Sequence, residues 1–250
     1  MSNIFSHGFN IESSNIGSPN TVSHGLSIRS SNGGDIYNCY PSTYNNLKNK
    51  NVEDNHMSFV GLQINPKTRK IIAFADSKSS RLNGAGVMIH DWICPNVNKM
   101  FSTDKYIAVA YGANEIQELS GNKKLEDLML DCKDEPLENV FVKIQHAMRL
   151  SMQKDSVYMI YAKKGEIPYH HIVEVNRNHI LDEKIYSKEP FSHVGGNESY
   201  VKLLEHEPTL SDGSMEEIKA LIEKTVAFQD TLKIYNPVGG EIKVQSWDWE

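Results

Sequence analysis

From Ser58 onward, apolar and polar positions alternate between two periods, and the switches between them outline a run of short strands and amphipathic helices. Ser58-Phe59-Val60-Gly61-Leu62-Gln63-Ile64 is an apolar strand-like run, and Asn65-Pro66-Lys67-Thr68 supplies a turn. Ile71 to Lys78 is a second run that ends in an acid, Asp76. A polar stretch follows, then Asn98-Lys99-Met100-Phe101 and Tyr106-Ile107-Ala108-Val109-Ala110-Tyr111-Gly112. Leu137, Val140, Ile144 and Met148 keep helical spacing through Pro136 to Met152, with proline placed to start the helix. Residues 156–162, 169–175 and 179–186 read as three successive strands. Ser192 to Gly196 leads into a short helix over 198–205. Ser214-Met215-Glu216-Glu217 is a capping box opening a helix that carries Ile218, Leu221, Ile222, Thr225 and Phe228 on one face. Val238-Gly239-Gly240 turns into a last strand over 241–247.

The composition changes near residue 57. Up to His56 the chain is rich in Ser and Asn, and Ser6-His7-Gly8-Phe9-Asn10-Ile11 recurs as Ser23-His24-Gly25-Leu26-Ser27-Ile28. Phe9/Ile11 and Leu26/Ile28 sit at period two, so each copy reads as a short strand with one apolar edge. Two copies are too few for a solenoid. Residues 1–57 are therefore either a flexible leader or a hairpin-like arm, and 58–250 a single α+β domain. A chain of 250 residues is long enough to bury one large core and carry such an appendage.

Charge narrows the partners. A net charge of −6 leaves no basic face for phosphate, which argues against nucleic acid. No apolar run is long enough to span a bilayer, and the start lacks a basic then apolar leader. Three widely spaced cysteines without a CxxC suit free thiols and a reducing, cytoplasmic setting. No cofactor motif stands out: the glycine pairs at 195 and 239 form neither GxGxxG nor a P-loop. His90, Asp91 and Cys94 are ligand types without a second zinc-spaced pair. His170 and His171, adjacent on a strand, point to opposite faces and cannot chelate together. Trp247-Asp248-Trp249-Glu250 either packs on the core or grips a partner.

The order of runs from Ser58 to Gly112, continued to residue 247, resembles a proteasome-type subunit of the N-terminal-nucleophile hydrolases. That resemblance implies a four-layer α-β-β-α sandwich and a Thr, Ser or Cys nucleophile at the head of the first strand, using its own free α-amine as base. Matching Val60-Gly61 puts Met57, which has no transferable proton, at that position; Ser58 lies one residue later. Asp76 matches the family's acid that positions a catalytic lysine, with Lys78 a plausible partner; Gly112 matches a cleft glycine offering its amide to an oxyanion. The catalytic lysine finds no match near residues 90–95, and Lys99 matches a structural basic residue. The family's late serines and acid fall on Gly196, Tyr235 and Val238. The resemblance thus implies a non-catalytic or weakly catalytic subunit assembling as a homo-oligomer, ring or dimer, with a peptide as possible ligand and no metal. Two alternatives remain: a peptidase or amidohydrolase using Ser58 after loss of residues 1–57, and an unrelated α+β binding protein.

Overall fold

In the computed structural model, residues 58–82, 88–94, 97–118, 121–166, 168–186, 188–232 and 236–248 are described. All of them belong to one compact unit, Glu53–Glu250. The 1–57 arm with its repeat, Met57, Tyr235 and the Trp249–Glu250 end lie outside the described residues. The fold is mixed sheet-plus-helix, as the periodicity predicts.

Strands β1 (Phe59–Asn65) and β2 (Lys70–Asp76) form the opening hairpin. Its turn closes because the Asn65 side-chain oxygen accepts from the amides of Lys67 and Thr68, at 3.0 and 3.1 Å. Further elements follow in chain order: β3 (Ser79–Leu82), β4 (Met88–Cys94), β5 (Met100–Ser102), β6 (Tyr106–Gly112), β7 (Glu115–Glu118) and β8 (Gly121–Lys124). Then come α1 (Leu125–Asp131), α2 (Leu137–Ser151), β9 (Val157–Lys163), β10 (Tyr169–Val175), β11 (Ile180–Tyr186) and β12 (Phe191–Gly196). The chain finishes with α3 (Glu198–Leu204), α4 (Pro208–Asp212), α5 (Met215–Thr231) and β13 (Ile242–Asp248).

One sheet has the order β12-β1-β2-β13 and another the order β11-β10-β9-β6-β5. The strands that neighbour each other in both are antiparallel. Three apolar clusters hold them. One joins Val60, Leu62, Ile64, Ile71 and Ala73 of the first sheet to Ile107, Val109, Tyr111 and Ile160 of the second. A second ties Phe59, Phe74 and Val194 to Tyr200, Leu204, Ile218 and Ile222 of α3 and α5. A third ties Ala108, Met159, Tyr161 and Val173 to Leu128, Val140, Ile144 and Met148 of α1 and α2. Strands β1 and β2 read as near-continuous apolar runs, with Gln63 the polar exception inside β1, because both of their faces are buried.

Helix α2 starts on Pro136 and stops at Met152, which adopts φ 60°. Helix α5 carries the expected capping box: Ser214 Oγ accepts from Glu217 N at 3.2 Å, and Glu217 accepts from Ser214 N at 2.8 Å. No helix among the described residues is long and apolar enough to cross a membrane.

One expectation needs correction: the polar stretch after Lys78 contains a strand pair, β3 with β4. Ser192 to Gly196 leads into helix α3 as expected, and it is itself most of β12, the partner of β1.

Candidate functional site

The site is built where β2 runs out. Asp76 and Lys99 are each about 99% buried, and Lys99 Nζ donates to Asp76 Oδ1 at 2.8 Å. The same oxygen accepts from the Phe59 amide at 2.8 Å, and Oδ2 accepts from the Gly239 amide at 3.1 Å. Lys99 Nζ also donates to the Lys78 carbonyl at 2.7 Å. One carboxylate therefore binds the head of β1, the residue before β5 and the loop before β13. A buried charge is tolerated only when paired and hydrogen-bonded in this way. Burial pushes the Asp76 carboxyl up and the Lys99 amine down; their mutual attraction opposes both shifts, and for Asp76 so do the two backbone amides.

This arrangement corrects the expected partner of Asp76. Lys78 shares the carboxylate's side only while the strand continues, and β2 ends at Asp76. Beyond it, Ser77 N and Lys78 N both donate to the Gly239 carbonyl, at 3.2 and 3.0 Å. The Lys78 ammonium donates to the Asn236 carbonyl at 2.6 Å. Asn236 in turn accepts the Tyr200 hydroxyl at 2.9 Å and donates to Asp230 at 2.9 Å. Burial drives the Tyr200 phenol up to about 12. Lys99, read from the sequence as a structural basic residue of the next strand, is the buried ion-pair partner. The signal available was charge balance: an acid closing a fully apolar strand needs a base, and Lys99 opens the next short apolar run.

Ser58 sits beside this pair in the chain and is 3% exposed. Its carbonyl accepts from Asn197 N at 2.6 Å. Gly196, at φ +113°, closes on it so tightly that a Cβ would stand 1.9 Å from that carbonyl oxygen. Gly112, at φ +89°, packs elsewhere: a Cβ there would stand 2.4 Å from the Ser156 carbonyl at the head of β9. The structure thus gathers Asp76, Lys99, the Lys78 backbone, the amide next to Ser58 and Gly239, and it sets Gly112 against Ser156.

Other candidates are placed as follows. His171 Nδ1 lies 3.0 Å from Asp182 and its ring stacks on Tyr161, while His170 faces Phe191 and His193. Trp247 packs partly buried against the cluster between the sheets. The side chains of His90, Asp91 and Cys94 lie outside the described residues. Among the described residues no group of three or more His, Cys, Asp or Glu is arranged to hold a metal.

No family model and no curated protein matches the chain. Solved structures similar to it include an Anbu (Gly-1) mutant from Hyphomicrobium sp. strain MC1, at 14% identity and TM-score 0.44, covering 76% of this chain and 81% of that one. Anbu from the same strain matches at 15% identity and TM-score 0.42, covering 76% and 82%. Anbu (ancestral beta-subunit) from Yersinia bercovieri matches at 13% and 0.44, again covering 76% and 82%. The expected membership among proteasome-type subunits of the N-terminal-nucleophile hydrolases is thereby corrected. The likeness is to Anbu structures, and at this identity and fit it places the chain in no family and bears on neither site nor activity.

Proposed function

We propose that this chain is a non-catalytic, self-associating subunit built as a helix–sheet–sheet–helix sandwich. Support for the sandwich comes from the three clusters: one shared by the two sheets, and one between each sheet and its own helices. The observation that carries the non-catalytic reading is the engagement and burial of Asp76. Its oxygens accept from two backbone amides and one ammonium, and that ammonium is itself held by a backbone carbonyl. With three of its roughly four acceptor positions in use and 1% of its surface exposed, the group ties segments together and is closed to a reacting hydroxyl or water.

Self-association has a modest surface basis. Most of the apolar rows over Val140 to Met148 and Ile218 to Phe228 is turned into the core, while Phe228 at the end of the second row is exposed. The helices also expose Leu130, Val142 and Leu150 around α2, and Leu232 after α5. A cytoplasmic setting belongs to the same reading and is supported by the free, buried Cys132 thiol.

A second reading has one specific observation in its favour. The Phe59 amide, one residue from Ser58, shares the Asp76 carboxylate with Lys99, whose amine burial pushes towards neutrality. A neutral lysine amine can take a proton from a serine hydroxyl. In this reading the chain is a peptidase or amidohydrolase that uses Ser58 after residues 1–57 are removed.

Intact mass, light scattering and labelling with a fluorophosphonate, a serine-directed electrophile, decide between them. The first reading expects an uncleaved chain, a mass above the monomer at micromolar concentration and no labelling. Its assembly part is overturned by a monomer. A chain beginning at Ser58 that labels there overturns its non-catalytic part and establishes the second.

A further inference from the structure

His170 and His193 meet across the line where the two sheets pack. His171, Val173 and Val175 of β10 turn towards α2, because Val173 and Val175 belong to that cluster and His171 stacks on Tyr161 within it. Strand geometry then turns His170 the other way, towards the four-stranded sheet. There its ring lies 4.6 Å from Phe191 and 5.4 Å from His193, centroid to centroid, and both of these belong to β12. His170 has no exposed surface, and neither of its ring nitrogens has a hydrogen-bond partner. His193 is 9% exposed.

We propose that this histidine pair is an acid-sensitive seam: uptake of a proton by either imidazole drives the two sheets apart. An imidazolium between the sheets would lie in low dielectric, next to a second imidazole that cannot take the charge as well. The positions that pair with the two histidines on the adjoining strands are apolar. Ile185 of β11 stands opposite His170, and Leu62 of β1 opposite His193. On β10 the neighbouring His171 is engaged by Asp182 and Glu166, and Glu174 by Ser156, Asn176 and His179. Lys184 of β11, opposite His171, is paired with Glu166.

The direction of the pH effect follows. Burial holds His170 down to about 2, with His193 and His171 adding to the shift, and burial holds His193 down to about 4. Both values lie below the ordinary imidazole value of about 6.5. The unfolded chain therefore binds protons that the folded one refuses. Stability from the neutral pair is complete above about pH 6.5 and is lost as pH falls from there towards 4. Each histidine contributes about tenfold in the unfolding constant per pH unit over that span, so the pair contributes about a hundredfold.

The test compares urea unfolding of the full chain at pH 7.5 and pH 5.0 with that of the His170→Phe/His193→Phe variant. The unfolding constant of the native chain is expected to rise at least a hundredfold more on acidification than that of the variant. His206→Gln, which changes an exposed histidine, is expected to keep the native pH response. Equal acid responses in the native chain and the double variant overturn the proposal. If the double variant does not fold, NMR titration of the native chain's imidazole C–H signals decides. A His170 or His193 that titrates near 6.5 in the folded protein overturns the proposal, and signals that stay unprotonated until unfolding uphold it.

Discussion

Two of the places where this fold buries ionisable side chains solve the problem in opposite ways. At the end of β2, Asp76 and Lys99 are buried as a charged pair, and each charge is matched by hydrogen bonds. Between β10 and β12, His170 is buried as a neutral ring with no partner for either nitrogen. The first solution fixes four chain segments but fails at once if one member is removed. The second makes no polar bond that a mutation can break, and its vulnerability is to protons. Local polarity thus decides whether a buried titratable group acts as a tie or as a sensor.

The sharpest way to break this contrast is Asp76→Ala. It strands the Lys99 ammonium in the core and leaves the Phe59 and Gly239 amides without an acceptor. Losing one member of a buried charged pair costs about 3–5 kcal/mol, and urea unfolding should read a loss at or above the top of that range. Lys99→Met should fall inside the range, since the two amides keep their acceptor. A loss below about 1 kcal/mol for either variant would show that water or another cation substitutes for the pair.

Lys78→Met is the intermediate case, and it separates the observed partner from the expected one. Were Lys78 the counter-ion of Asp76, this change would cost as much as Lys99→Met. Its ammonium instead donates to the Asn236 carbonyl from a part-buried position. A hydrogen bond from a charged donor contributes about 1.5–3 kcal/mol, so the loss should be clearly smaller than for Lys99→Met. Parity of the two losses, in the same urea series, would return Lys78 to the carboxylate.

What the sequence disclosed follows the same division between local and distant causes. β1, β2 and β6 were legible because burial on both faces makes them near-continuous apolar runs. α2 and α5 were legible from their apolar spacing and start signals. β12 was not, because it ends in Gly195-Gly196, which reads as a turn. Those glycines answer to distant atoms: a Cβ on Gly195 would meet the Tyr111 ring at 2.4 Å, and one on Gly196 the Ser58 carbonyl. In the site, Asp76 announced itself as a carboxylate closing an apolar strand. Its partner did not, because Lys99 lies 23 positions further along the chain. Neighbourhood in sequence pointed to Lys78, and the end of β2 redirected that side chain.

The smallest effect is the most telling for the comparison. At pH 7.5 both seam histidines are neutral, since burial holds them at about 2 and about 4. His170→Phe then removes no hydrogen bond, and it swaps one planar ring for another beside Phe191. Replacing an unpaired buried polar group by an apolar one of similar shape is close to neutral or stabilising. Swaps that conserve volume in a core cost less than about 1.5 kcal/mol. The urea midpoint of His170→Phe should therefore stay near the native value or rise, while Asp76→Ala, equally buried, collapses it. If His170→Phe instead loses more than about 2 kcal/mol at pH 7.5, the imidazole has a hydrogen-bond partner in solution. The seam would then be a second polar tie, and the contrast between the two regions would disappear.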